Sequence, residues 1–272
     1  MLMSYQFSIQ NKLPFGIIMD TAFVGSQSRH LQDNRNLNYV PYGAAFQPSA
    51  LDPTQAAPTL LGNNILVSQN LRVLKGFGNI NLYESAANGN YNSLQISVQK
   101  RAGRFFMGLS YTQSKFLTTA PGDTNFVRVD SNTRQAYYGP SSNDRPQNFV
   151  FNYVYSVPGL GKNLVTKALL NDWQISGFTI FQSGSPFTPG FSILGVSNQN
   201  ITGSTTEGAR IGVVPGVNPN TGSDDPYHRI NAAAFTTPRA PICPTPTTCQ
   251  ASIGLESGVN YLYGPGLANY DL

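Results

Sequence analysis

Two stretches of strict alternation, joined by a tight basic turn, limit what this chain can fold into more than any other feature. Leu94, Ile96 and Val98 alternate with Gln95, Ser97 and Gln99. Beyond "KRAGR" the pattern resumes, with Phe105, Met107, Leu109 and Tyr111 set against Gly108, Ser110 and Thr112. A period of two marks a strand with two unlike faces. The apolar face then needs something to cover it, and the chain offers little else that resembles the other half of a core. Charged residues are only 11%, against about 25% in an average soluble domain. Most of the remaining polarity is Asn, Gln, Ser and Thr.

Further segments carry the same pattern. Residues 4–12 set Phe7 and Ile9 against Gln6, Ser8 and Gln10. In residues 16–27, Ile17, Met19, Thr21 and Phe23 share one side, with Asp20 and Ala22 on the other. "DRPQNFVFNYVYSVP" aligns Phe149, Phe151, Tyr153 and Tyr155, leaving Asn152 and Ser156 opposite. "NDWQISGFTIFQSGSPF" sets Trp173 and Ile175 against Gln174 and Ser176, and its alternation fades after Gly177. A seventh strand begins near the end of the chain.

The connections are as telling as the strands. A link of a few residues is followed by one spanning 28–89. Another short link precedes 116–144, and the moderate "GLGKNLVTKALL" precedes 185–260. In an antiparallel sheet this alternation puts every tight turn at one edge and every long loop at the other. That is the form of a transmembrane β-barrel, and the segments have about the 9–11 residues a tilted strand needs to cross hydrocarbon. The expected fold is all-β: an antiparallel meander of long transmembrane strands, part of a large outer-membrane barrel. Leu94, Ile96, Val98, Phe105, Met107, Leu109, Phe149, Phe151 and Tyr153 are expected to meet outer-membrane lipid. Asp20, Gln95, Gln99, Asn152 and Gln174 are expected to face a wet lumen. Tyr91, Tyr111, Tyr153, Tyr155 and Trp173, near the limits of the apolar bands, are expected to form an aromatic girdle. A soluble sandwich also alternates, but its loops are of similar length at both ends.

Other functions find little support. The net charge is +4 and the pI near 9.0, but the basic residues are scattered, so no nucleic-acid partner is expected. No stretch reaches the roughly 20 apolar residues of a membrane helix. The start, "MLMSYQFSIQNKLPFG", lacks the layout of a signal peptide. Cys243 and Cys249 bracket "PTPTT", and a small loop disulfide is expected there; the two histidines, His30 and His228, lie too far along the chain to suggest zinc. "VPGLGKN" fails the spacing of a phosphate loop, and "QSGSPF" is not a nucleophile elbow. Asp123, Asp130, Asp224 and Asp225 lack the ligand spacing of a calcium loop and read as turn residues. No catalytic residue, cofactor or metal site is expected, and the chain is not expected to be an enzyme.

Several segments together resemble the barrel of Oar-like TonB-dependent transporters. They are "AFVGSQSRHL", "YNSLQISVQKRAGRFFMGLSYTQSK", "DRPQNFVFNYVYSVP", "NDWQISGFTIFQSGSPFTP" and "YLYGPGLANYDL", in the family's order, with "INAAAFTTP" in the last long loop. One departure is Gln147, where that family often has His. The resemblance implies a many-stranded outer-membrane barrel closed around a plug domain, driven by a TonB-type energy-coupling protein, that takes up a substrate the sequence does not name. Residues 1–272 then correspond to later-middle strands, a partial barrel without plug or final strands. The alternatives are a secreted or surface β-rich binding protein, such as an adhesin or carbohydrate-binding sandwich, and a passive porin.

Overall fold

A computed structural model describes the chain except for residues 42–43, 55–65, 67, 121–127, 130–136, 160, 162, 164, 167–170, 193–196, 205, 207, 222, 224, 226, 237–241, 246–247, 251–256 and 272. Among the described residues one sheet dominates. Its main path has seven strands: β1 (Leu2–Leu13), β2 (Ile17–Asn36), β3 (Asn81–Lys100), β4 (Phe105–Thr118), β5 (Gln147–Ser156), β6 (Gln174–Gln182) and β7 (Leu267–Asp271). Spatial order equals chain order, and every neighbour is antiparallel. The fold is therefore the expected all-β meander.

The short links all fall at one edge. β1 and β2 close over Pro14–Gly16, where Phe15 and Gly16 both take left-handed backbone, at φ 64° and 73°. Two successive residues of that hand match the twist of the strands they join. Glycine adopts it freely, whereas Phe15 does so at some cost. At the opposite edge the connections are residues 37–80, 119–146 and 183–266.

The β2–β3 hairpin is longer than the sequence suggested. Residues 28–36 and 81–89 belong to strands, so the loop expected at 28–89 shrinks to 37–80. A ladder needs only backbone partners, while alternation needs two different environments. The extension keeps the first and lacks the second. Two compensating irregularities lie where the pattern fades: the register runs Ser28↔Gly89, Leu31↔Ala87, then Gln32↔Ser85. His30 sits in that step with φ 57°.

The burial pattern inverts that of a soluble domain. Val40, Ala45, Ala50, Tyr137, Ile201, Ala209, Ala234 and Leu262 are all buried, and all lie in the long connections. Large apolar residues on the strands stay open, with Phe7 67% and Ile175 50% exposed. Nothing among the described residues covers the apolar face of the sheet. No described helix is long and apolar enough to cross a membrane.

Candidate functional site: a two-faced sheet under a folded cap

Cross-strand partners share a face, so the register assigns every strand residue to one side. Phe23 pairs with Leu94, Thr21 with Ile96 and Met19 with Val98. Val98 pairs with Leu109 and Lys100 with Met107. Phe105, Met107, Leu109 and Tyr111 pair in turn with Tyr155, Tyr153, Phe151 and Phe149. All nine residues expected to be lipid-facing therefore lie on one side of the sheet. Aromatic rings knit that side together. Phe151 stacks on Tyr153 at 5.6 Å, Phe149 lies 5.9 Å from Phe181, and Phe181 meets Tyr270 edge-on at 5.5 Å. At the tight-turn rim, Lys100 Nζ donates to the Phe105 carbonyl at 3.3 Å and sits 5.7 Å above its ring.

The opposite side collects Asp20, Gln95, Gln99, Asn152 and Gln174. Asp20 lies between Gln10 and Ser97, Gln95 between Ala22 and Thr112, and Gln99 between Ile18 and Gly108. Asn152 pairs with Gly108 and Phe178, and Gln174 with Ser156. Gln95 donates to Ser93 Oγ at 3.2 Å. The Asp20 Oδ1 atom is buried and has no hydrogen-bond partner among the described residues.

Two expectations are corrected here. Tyr91 belongs to this second side, opposite Ser26 and edge-on to Phe116 at 6.3 Å, because its parity is that of Ser93 and Gln95. It cannot share a girdle with Tyr111, Tyr153 and Tyr155. The second side is also not uniformly polar. Phe106 pairs with Val154 and Val150 with Ile180, and Phe178 is their neighbour, so β5 and β6 carry apolar residues on both faces. Sequence reading credited these strands with the contrast set by Asn152, Ser156, Gln174 and Ser176, whereas Val150, Val154, Phe178 and Ile180 break it.

Above the long-loop edge the connections form a hydrogen-bonded cap. Asp144, 1% exposed, accepts from the Phe116 N–H at 2.8 Å and from the Tyr263 hydroxyl at 2.6 Å. It thereby ties the last loop to the top of β4. Asn260 donates to the Pro140 carbonyl at 2.9 Å, and its own N–H donates to Thr188 Oγ1 at 2.8 Å. The Arg210 guanidinium, 3% exposed, donates to the Ser257 carbonyl at 2.7 Å. In the first long loop, the fully buried Asn38 amide donates to the carbonyls of Leu74, Phe77 and Gly78 and accepts from the Leu74 N–H. Sequence reading missed this cap. Its only visible trace was the frequency of Asn, Asp, Ser and Thr in the loops, the residues that bond to nearby backbone.

Among the described residues the remaining candidates lie apart from one another. The His30 Nδ1 lies 3.4 Å from the Ser85 carbonyl. His228 Nδ1 sits 2.5 Å from Asp225 Oδ2 on an exposed loop. That contact, with the Tyr227 N–H second, holds the Asp225 carboxyl below its usual range. Ser183 Oγ accepts from the Gln147 N–H instead of meeting a histidine. Among the described residues no group of three His, Cys, Asp or Glu is placed to hold a metal ion. Asp123, Asp130 and Asp224 lie outside the described residues. The backbones of Cys243 and Cys249 lie on paired strands, Ile242–Thr245 and Thr248–Gln250, each one residue in from the Ile242↔Gln250 pair.

In comparisons with known proteins, the profile of a family described as an outer membrane beta barrel domain matches residues 1–272. No curated protein and no solved structure matches the chain.

Proposed function

This chain belongs to the outer membrane beta barrel domain family, and from that premise we propose that it is a stretch of wall from an Oar-like TonB-dependent transporter. Its place is the outer membrane. The observation that carries the proposal is the one-sided architecture: the shorter links, residues 14–16, 101–104 and 157–173, at one edge of the sheet, and at the other long connections folded into a cap. In membrane barrels the short turns are periplasmic and the long loops extracellular. The side bearing Leu94, Ile96, Val98, Phe105, Met107, Leu109, Phe149, Phe151 and Tyr153 then meets lipid. The side bearing Asp20, Gln95, Gln99, Asn152 and Gln174 faces the lumen.

The lumen side supports a filled barrel over a passive porin. A porin wall is lined by water, whereas Phe106, Val150, Val154, Phe178 and Ile180 present apolar groups inside, around Asn152. A plug domain would cover those groups. The reading assigns the chain no catalytic residue and no cofactor, and gives it as partners outer-membrane lipid, a plug, a TonB-type coupling protein and an unidentified substrate. Seven strands do not close a transporter-sized barrel, and an unpaired strand edge costs several kcal/mol per backbone group in hydrocarbon. Transport therefore belongs to a longer assembly.

Reading the DNA on both sides of this frame tests the proposal. A plug with a coupling motif encoded upstream, and further alternating strands downstream, is the expected result. An upstream frame with no plug would make the barrel a passive porin and end the TonB reading.

A further inference from the structure

At the long-loop edge, the apolar side of the sheet changes character from the row of Gln113 and Gln147 outward. Asn92, Gln113 and Gln147 continue the parity of Leu94, Tyr111 and Phe149, yet all three are amides. Gln113 pairs directly with Gln147, and Asn92 pairs with Lys115. Phe23 and Leu94 are level with the Gln113–Gln147 pair and one step below Asn92 and Lys115, and these residues border, together with Ser114, Asp144 and Tyr263, a depression of about 450 Å³.

From Phe105 to this row the strand rises about 27 Å along its axis, or near 20 Å with the usual tilt, comparable to the apolar band of a membrane barrel. The row therefore lies at the water boundary. Among the described residues, no carboxylate pairs with the exposed Lys115. Asp144 borders the depression, but its oxygens are engaged by the Phe116 N–H and the Tyr263 O–H. The Tyr5 hydroxyl donates to Asn92 Oδ1 at 2.6 Å, which leaves the Asn92 amide N–H groups to donate outward.

We infer that Lys115, Asn92, Gln113 and Gln147 form a binding site for the phosphate-bearing headgroup of a membrane lipid, whose acyl chains lie along Phe23 and Leu94. One cation and several amide donors match a phosphate and its neighbouring polar groups. Phe23 and Leu94, beside the two glutamines and one step below Lys115 and Asn92, suit acyl chains and would not suit a free ion. This inference rests on the barrel-wall reading, because it needs that side of the sheet to face the bilayer.

Native mass spectrometry of the full chain folded in detergent tests it. Equal amounts of phosphatidylglycerol and phosphatidylcholine with identical acyl chains are added, and the retained lipids are compared. The anionic lipid is expected to be retained about fivefold over the zwitterionic one. Lys115→Gln should bring that ratio close to one. Lys100→Gln, at the other rim, should leave it unchanged. Excess inorganic phosphate should not alter the ratio; if it abolishes the preference, the site binds bare phosphate and the lipid assignment is wrong. A Lys115→Gln chain that keeps the wild-type ratio, or a wild type that retains both lipids equally, overturns the site and leaves the barrel wall standing. A chain that retains neither lipid and stays monomeric without detergent overturns the barrel reading itself. Circular dichroism of the variants checks that the sheet is intact.

Discussion

Asp144 is where the loops are fastened to the sheet. Replacing it with Ala strands the Phe116 N–H and the Tyr263 hydroxyl, at about 1–3 kcal/mol for each buried group left unsatisfied. Burial first, then the hydrogen bond and negative charge of Asp144, push the Tyr263 phenol above its usual value of 10.0. Because the folded value is the raised one, the stabilisation from Tyr263 is complete below pH 10.0 and drains away as pH climbs through the folded value. A spectrophotometric titration of wild type against Tyr263→Phe should show that the missing tyrosine is among the last to ionise. If the lost step falls at the ordinary tyrosine value, the phenol is not held as described. None of this was legible in the sequence. Asp144 and Tyr263 are 119 positions apart, and no local pattern relates them.

At the scale of elements, the alternation was legible wherever the two faces of a strand differ, as in β4 and in the turn-side halves of β2 and β3, and only one face of β5 was read correctly. It failed at the far ends of β2 and β3, where both faces are polar, and it weakened in β6. The base of the last loop shows a constraint of another kind. A Cβ added to Gly184 would sit 2.1 Å from the Gly264 carbonyl oxygen and 2.5 Å from that of Pro265. Both contacts are backbone, so neither can swing aside as a side chain would. Gly184→Ala should therefore displace the segment returning to β7, costing about 1–3 kcal/mol as overpacking does. Gly208→Ala, with nothing near its added carbon, is the control expected to be neutral. The temperature at which each variant loses its folded gel mobility measures the difference. Equal temperatures would mean the loop base yields easily.

For the molecule as a whole, adjacent residues report on opposite environments. Ile96 lies in the middle of the apolar side, and Gln95 on the other. Ile96→Arg should cost about 2–4 kcal/mol by placing a cation in hydrocarbon, while Gln95→Arg on the lumen side should be nearly neutral. Folded, heat-modifiable protein recovered from the outer-membrane fraction is the readout. Equal recovery of the two variants would sink the lipid assignment of this face. The same contrast explains the inverted burial pattern. On the proposed reading the sheet needs no core of its own, and most of the buried apolar residues among those described, such as Val40, Tyr137, Ile201 and Leu262, lie in the loops.

By itself the sequence determined the strands, their antiparallel order and the faces of Leu94, Phe105, Phe149, Asp20 and Asn152. All of these follow from local periodicity and from the lengths of the links. Only the tertiary structure decided how far β2 and β3 run, that Tyr91 lies on the side opposite to Tyr111, Tyr153 and Tyr155, and that the second face of β5 and β6 is partly apolar. It alone placed Asn92, Gln113, Lys115 and Gln147 in one patch and joined Asp144 to Tyr263. The physical reason is common to these cases. Register and loop packing are set by hydrogen bonds between residues remote in the chain, and no period in the sequence records which remote partner a residue will meet.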